Sequence, residues 1–159
     1  TVSVFNGPWP VVQVCSTSEE EAEVVSEWLR SLVNKGVQPY EIAVFLRSNV
    51  ELDRARLVAE KAGVDCHVLD HSLLPAVGKL SLSTMHYAKG LEFRAVAVIA
   101  CDDEVIPSQA RIESIGDNAD LEEVYETERH LLYVACTRAR DSLLVTGTDP
   151  ASEFLDDLN

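Results

Sequence analysis

The stretch Ala95-Val-Ala-Val-Ile-Ala-Cys101 decides the architecture. Side chains along a strand point alternately to its two faces, so an unbroken apolar run describes a strand covered on both sides. Such strands belong to largely parallel sheets with helices above and below. Working outward, VVQVCS (Val11 to Ser16), EIAVFL (Glu41 to Leu46), CHVLD (Cys66 to Asp70), LSLST (Leu80 to Thr84) and SLLVTGT (Ser142 to Thr148) read as further strands. Between them the spacing changes to that of helices: Ala22, Val25, Leu29, Leu32 and Val33 recur until Gly36, and Leu52, Ala55, Val58, Ala59 and Ala62 recur until Gly63. Ser18 with Glu21, and Ser48 with Glu51, have the spacing of capping boxes at the two helix starts. From Ala119 to Arg140 one apolar stripe collects Leu121, Val124, Tyr125, Leu132, Ala135, Cys136 and Ala139, with Glu128 inside it. Asp102 to Asn118 reads as a loop, and a short acidic helix at the end offers Phe154, Leu155 and Leu158 to the core. The order β-α-β-α-β-β-β-α-β is that of an α/β fold with a doubly wound, mostly parallel sheet.

At 159 residues, 47% of them hydrophobic, the chain has the size of one domain that buries its own core. The opening TVSVFNGPWP (1–10) reads as a lead-in from a preceding domain, with the folded unit over 11–159. No signal peptide and no apolar run near the roughly 20 residues of a membrane span is present, which points to a cytoplasmic protein with no membrane partner. Cys15, Cys66, Cys101 and Cys136 lie far apart in apolar stretches, the pattern of buried reduced thiols rather than of a metal site. The net charge of −14 argues against a strong nucleic-acid binder, since phosphate neutralisation asks for a basic face. The acid is concentrated in Glu19 to Glu23, Asp102 to Glu104 and Asp117 to Glu128, which leaves room for a neutral or basic groove elsewhere.

Ligands of doubly wound sheets gather at the carboxyl ends of strands. Three places stand out: Arg47 directly after EIAVFL, the segment TMHYAKGLEF (Thr84 to Phe93) with His86, Lys89, Gly90 and Glu92, and Arg138 near the end of ERHLLYVACTRAR. A lone arginine at a strand end is most often a surface ion-pair partner contributing about 0–1 kcal/mol. Glu128, inside an apolar stripe, needs a nearby arginine, because an unpaired buried charge is too costly.

TMHYAKGLEF resembles motif V of the UvrD, Rep and PcrA helicases, T-x-H-x-A/S-K-G-L-E-F, at every specified position, and ERHLLYVACTRAR resembles their motif VI, E-R-R-L-x-Y-V-A/G-x-T-R-A. IAVFLRSN resembles motif IV, although Val50 to Arg54 depart from the family's alanine-glutamine-serine-arginine continuation. His130 stands where motif VI usually has its second arginine, and the short link from Asp70 to Leu80 leaves no room for the accessory subdomain that members such as Rep insert there. The resemblance implies the second RecA-like motor domain of a superfamily 1 DNA helicase that moves 3′ to 5′. It further implies that Arg47 and Arg138 act as arginine fingers on the γ-phosphate of ATP, and that Glu92 accepts from the ribose hydroxyls while Gly90 lets backbone approach the nucleotide. Thr84, His86 and Lys89 would face single-stranded DNA, on its phosphates and sugars.

No G-x-x-x-x-G-K-S/T run occurs in the sequence, so the resemblance places the phosphate loop, and the Mg²⁺ that accompanies ATP, on an N-terminal RecA-like domain of the same polypeptide. The chain by itself is then expected to be inactive as an ATP hydrolase. Two other readings stay open: the motor half of a helicase-nuclease of the RecB or AddA kind, and an adaptor domain that binds without hydrolysis.

Overall fold

In the computed structural model, residues 10–158 are described except 71, 73 and 117, together with the side chains of 118 and 119. The lead-in 1–10 therefore lies, apart from Pro10, outside the described residues. The elements are β1 (Val11–Cys15), α1 (Ser18–Asn34), β2 (Ile42–Leu46), α2 (Leu52–Ala62), β3 (Cys66–Val68), β4 (Leu80–Thr84), β5 (Phe93–Val98), α3 (Gln109–Glu113), α4 (Asn118–Cys136) and β6 (Ala139–Thr148), with a 3-10 turn over Glu153–Leu158. The strands form one six-stranded sheet in the order β1-β6-β5-β2-β4-β3, and every pairing is parallel.

Helices cover both faces, as the apolar β5 run requires. On one face Val25 and Leu29 of α1 and Val58 of α2 pack with Val44, Leu82 and Ala97. On the other, Leu132 and Ala135 of α4 and Phe154 of the last turn pack with Phe45, Val96 and Val98. β2 shows the period of two directly: Ile42, Val44 and Leu46 enter the first core and Ala43 and Phe45 the second, and all five are buried. The end of α2 follows its sequence signal, since Gly63 adopts φ 71°, a left-handed cap that suits glycine.

Several boundaries differ from the sequence reading, each for a tertiary reason. α4 ends at Cys136 and β6 starts at Ala139, because pairing of Ala139 with Phe93 of β5 draws the chain out of the helical pattern that continued to Arg140. The expected loop over 102–118 contains the short α3. Neither capping box forms as expected. The α1 cap is Thr17, whose hydroxyl accepts from the Glu20 amide at 3.1 Å, and Ser48 makes no side-chain cap bond. Of the four free cysteines, Cys15, Cys101 and Cys136 are buried and Cys66 is half-buried.

Glu21 is occupied in the interior instead. It is 2% exposed and accepts from the Ala100 amide at 3.0 Å, from Thr146 Oγ1 at 2.8 Å and from Arg54 Nη2. Arg54 also donates to Asp102 at 2.7 Å, and Asp102 accepts from the Thr148 amide at 2.7 Å. This network joins α1, α2, the chain leaving β5 and the end of β6. Ala100 holds a left-handed φ of 58°, a conformation that costs of order 1–3 kcal/mol for a non-glycine residue, and the Glu21 carboxylate captures its amide.

Gly147 of β6 passes so close to the chain leaving β5 that a Cβ there would stand 2.4 Å from the Cys101 carbonyl oxygen and 2.8 Å from its carbon. Backbone on both sides cannot rotate away as a side chain does. Gly147→Ala is expected to destabilise the fold by about 1–3 kcal/mol. Chemical denaturation checks this, and a midpoint equal to wild type would show that the strands separate freely at this point.

Candidate functional site

Sheet register determines which of the expected site residues meet. β2 and β4 are parallel neighbours with Leu46 opposite Thr84, so the next residues on each, Arg47 and the 3-10 turn Met85–Tyr87, leave the sheet side by side. β5 and β6 are parallel neighbours with Phe93 opposite Ala139, so the residues just before them, Glu92 and Arg138, enter the sheet side by side. Arg47 and His86 thus lie past the carboxyl ends of their strands, while Glu92 and Arg138 precede the amino ends of theirs. The expectation that all three places gather at strand carboxyl ends holds for the first pair and fails for the second, and about eight strand residues, on the order of 25 Å, separate Arg47 from Arg138, so the two do not meet at one phosphate. α4 and the segment 85–92 both pack on the Phe45 face and connect the two ends along it.

At the first end, Glu128 organises the site. Its side chain is 0% exposed, and among the described residues it accepts from Arg47 Nε at 2.8 Å, Arg47 Nη2 at 2.7 Å, the Ser108 amide at 2.6 Å and Arg111 Nη1 at 2.9 Å. The pair with Arg47 is bidentate, the geometry in which a guanidinium fork matches a carboxylate. Burial pushes the Glu128 carboxyl up, but the hydrogen bonds from Arg47, Ser108 and Arg111 outweigh it and hold the group below its ordinary value. It is therefore ionised at neutral pH. Arg47 is itself 8% exposed, far from a solvated surface arginine. The exposed His86 is kept below its ordinary value, first by desolvation and then by the positive charges of Arg47 and Arg111, with Glu128 opposing them. His86 is neutral at pH 7 in consequence.

At the second end, Arg138 is half-buried. Its Nε donates to the Val134 carbonyl at 3.1 Å, Nη1 to the Leu91 carbonyl at 3.4 Å and Nη2 to Thr137 Oγ1 at 3.0 Å. Its own carbonyl accepts from the Phe93 amide at 2.9 Å. Side chain and backbone of Arg138 thus bracket Glu92, which is exposed and has a long ion pair, 3.8 Å, with Arg140. Between the two ends, Lys89 and Gly90 are exposed, and Gly90 has φ +87° with open space where a Cβ would stand. Thr84, the last residue of β4, is half-buried.

A family model described as the UvrD-like helicase C-terminal domain matches residues 69–149, the half of the chain that contains β4, the segment 84–93, α4 and β6. The chain belongs to the UvrD-like helicase C-terminal domain family. A probable DNA helicase of Mycoplasma pneumoniae is 31% identical over 137 residues, which is 86% of this chain and 23% of that protein. The ATP-dependent DNA helicase PcrA of Staphylococcus aureus is 40% identical over 67 residues, 42% of this chain and 8% of that protein. A solved structure, the C-terminal domain of a possible DNA helicase from Lactobacillus plantarum, superposes with a TM-score of 0.66 at 22% identity, covering 99% of this chain and 86% of that one, and shares its fold. This UvrD-like domain spans less than a quarter of the length of the two helicases, from Mycoplasma pneumoniae and Staphylococcus aureus, that it matches. Among its described residues, no helix is long and apolar enough to cross a membrane.

Sequence reasoning anticipated an arginine for Glu128 of this UvrD-like domain, and Arg47 fills that place. It missed Arg111. That residue lies in the segment expected to be a loop and precedes Glu128 by 17 positions, a spacing that no helical or strand period reports. Its one available signal was a cation between Pro107 and Gly116 in an otherwise acidic stretch.

Removing the Glu128 side chain leaves Arg47 buried without its counter-charge. Glu128→Ala is expected to cost about 3–5 kcal/mol in chemical denaturation. The folded carboxyl lies below its ordinary value, so the contribution of its charge is complete above the unfolded value of about 4.3 and is lost as pH falls through the lower folded value. The stability difference between wild type and Glu128→Gln should stay level above about pH 5 and shrink below about pH 4. A difference that grows on acidification would refute the ionised, arginine-bound state.

Proposed function

We propose that this domain is the second motor domain of an ATP-dependent DNA helicase that moves 3′ to 5′ on single-stranded DNA, and that it supplies half of an ATP site shared with an N-terminal RecA-like domain of the same polypeptide. The observation that carries this is Arg138, an arginine held by the Val134 and Leu91 carbonyls and set side by side with Glu92 where β5 and β6 enter the sheet. A guanidinium is always charged and planar, so held in place it stabilises the negative charge spread over a transferring phosphoryl group. Such a group is worth roughly 10³ to 10⁵ in rate. In this proposal Arg138 contacts the γ-phosphate, Glu92 beside it accepts from the ribose hydroxyls, and Gly90 allows backbone to approach the nucleotide, whereas Arg47, on the order of 25 Å away past the other end of the strands, does not share that phosphate.

The donor set fits a polyphosphate, since its contribution is cationic. It does not fit Mg²⁺: among the described residues no group of three or more His, Cys, Asp or Glu is arranged to hold a metal. In the proposal the metal and the phosphate loop belong to the partner domain, and this domain alone does not hydrolyse ATP. Thr84, His86 and Lys89, on the segment that joins the two ends of the site, face the single strand. His86 is then a neutral hydrogen-bonding group and Lys89 an exposed charge for phosphate. Because one segment carries both the Glu92 contact and the strand contacts, closure of the gap between the domains on ATP is transmitted to the grip on DNA.

In the intact polypeptide, Arg138→Ala should reduce ATP hydrolysis by roughly 10³-fold or more while ATP affinity changes little. Steady-state turnover and nucleotide binding, measured on the same preparation, decide it. Turnover within a few-fold of wild type would sink the arginine-finger assignment.

A further inference from the structure

Resting on the motor-domain proposal above, we propose that Arg111, with Arg47 and His86, forms a separate anion subsite built on the Glu128 carboxylate, at the other end of the sheet from Arg138 and Glu92. Two guanidinium groups share the one carboxylate of Glu128, so the cluster keeps a net positive charge in a chain whose net charge is −14. The pairing leaves donors over. Glu128 takes one edge of the Arg47 fork, Nε and Nη2, and among the described residues Nη1 of Arg47 makes no hydrogen bond. Among the described residues Arg111 uses only Nη1 on Glu128, and its side chain is 41% exposed, so donors are left over on a solvent-reached guanidinium.

His86 lies in the 3-10 turn Met85–Tyr87, which leaves the sheet beside Arg47 because Leu46 pairs with Thr84, so its exposed imidazole borders the same positive region as a further donor. Arg111 is anchored at two points. Its side chain is held by Glu128, and the Ser108 amide, a short way before it in the chain, donates to the same carboxylate. An arginine held in this way loses less rotational freedom on meeting a ligand than a free surface side chain does. Glu128 is thus a positioning residue for both guanidinium groups, and the ligand class is a phosphate oxyanion. That oxyanion is a phosphodiester of the strand that passes the 84–89 segment, since the Glu92 and Arg138 end lies about eight strand residues away, and the test separates it from the terminal phosphate of a nucleoside triphosphate.

The test uses the intact polypeptide with Arg111→Ala and Arg111→Lys, and with Arg138→Ala as the control for the ATP site itself. ATP, single-stranded oligonucleotide and thermal melting supply the readouts. If the ligand is the triphosphate, Arg111→Ala raises KM for ATP or lowers kcat by about tenfold, leaves the oligonucleotide Kd unchanged, and Arg111→Lys restores part of the loss. If the ligand is the strand, the oligonucleotide Kd weakens by a similar factor, its salt dependence falls by about one phosphate contact, and KM stays put. Either pattern at an unchanged melting temperature supports the subsite. Kinetics and DNA binding equal to wild type in Arg111→Ala, with Arg138→Ala inactive, would overturn the subsite and leave the motor assignment standing. Full activity in Arg138→Ala would overturn the arginine-finger role of Arg138 instead, and leave the subsite to the Arg111 variants.

Discussion

Glu128 has no contact with water, and a carboxylate in that position is tolerable only when its charge is met by cations and its lone pairs by donors. The fold meets this requirement from three directions at once: Arg47 from the end of β2, the Ser108 amide from the chain following β5, and Arg111 from α3. Each donor comes from a different part of the sequence, so the buried charge is satisfied only when β2, the segment 102–118 and α4 are all in their native places. An apolar residue at 128 would fill the same space and would specify none of this. The interaction that a stability argument would call expensive is the one that aims Arg47 along the α4 face.

A second buried carboxylate does corresponding work on the opposite face of the sheet. Glu21 and Asp102 share Arg54 and tie α1 and α2 to the chain leaving β5 and to the end of β6. The two networks differ in what they leave over. Around Arg54 three carboxylates, Glu21, Glu51 and Asp102, face one guanidinium, so the cluster is negative; around Glu128 two guanidinium groups face one carboxylate, so it is positive. In a strongly acidic chain that contrast distinguishes a clamp from a place where an anion can be received.

The sequence made the sheet legible because burial on both faces removes the alternation that a half-exposed strand shows, and β2, β4 and β5 all carry that mark. Gly63 announced the end of α2 through the one conformation that glycine favours. The motif residues were legible as a resemblance, and register explains why they meet: Leu46 opposite Thr84 and Phe93 opposite Ala139 bring distant segments side by side. What escaped was tertiary. Glu21 has the spacing of a capping residue and is drawn inward because the Ala100 amide and Arg54 need an acceptor. Arg111 carries no periodic signature, and its role exists only once the segment 102–118 has folded against α4.

On the motor-domain reading Arg138, set beside Glu92 at the amino ends of β5 and β6, reaches the γ-phosphate of a nucleotide held by another domain. A structure of the intact polypeptide with a non-hydrolysable ATP analogue and Mg²⁺ tests it most directly. The expected result is the Arg138 guanidinium about 2.7–3.2 Å from oxygens of the γ-phosphate and Glu92 at the ribose, with the Arg47–Glu128 pair still formed away from the nucleotide. A nucleotide bound with its γ-phosphate out of reach of Arg138 would contradict it.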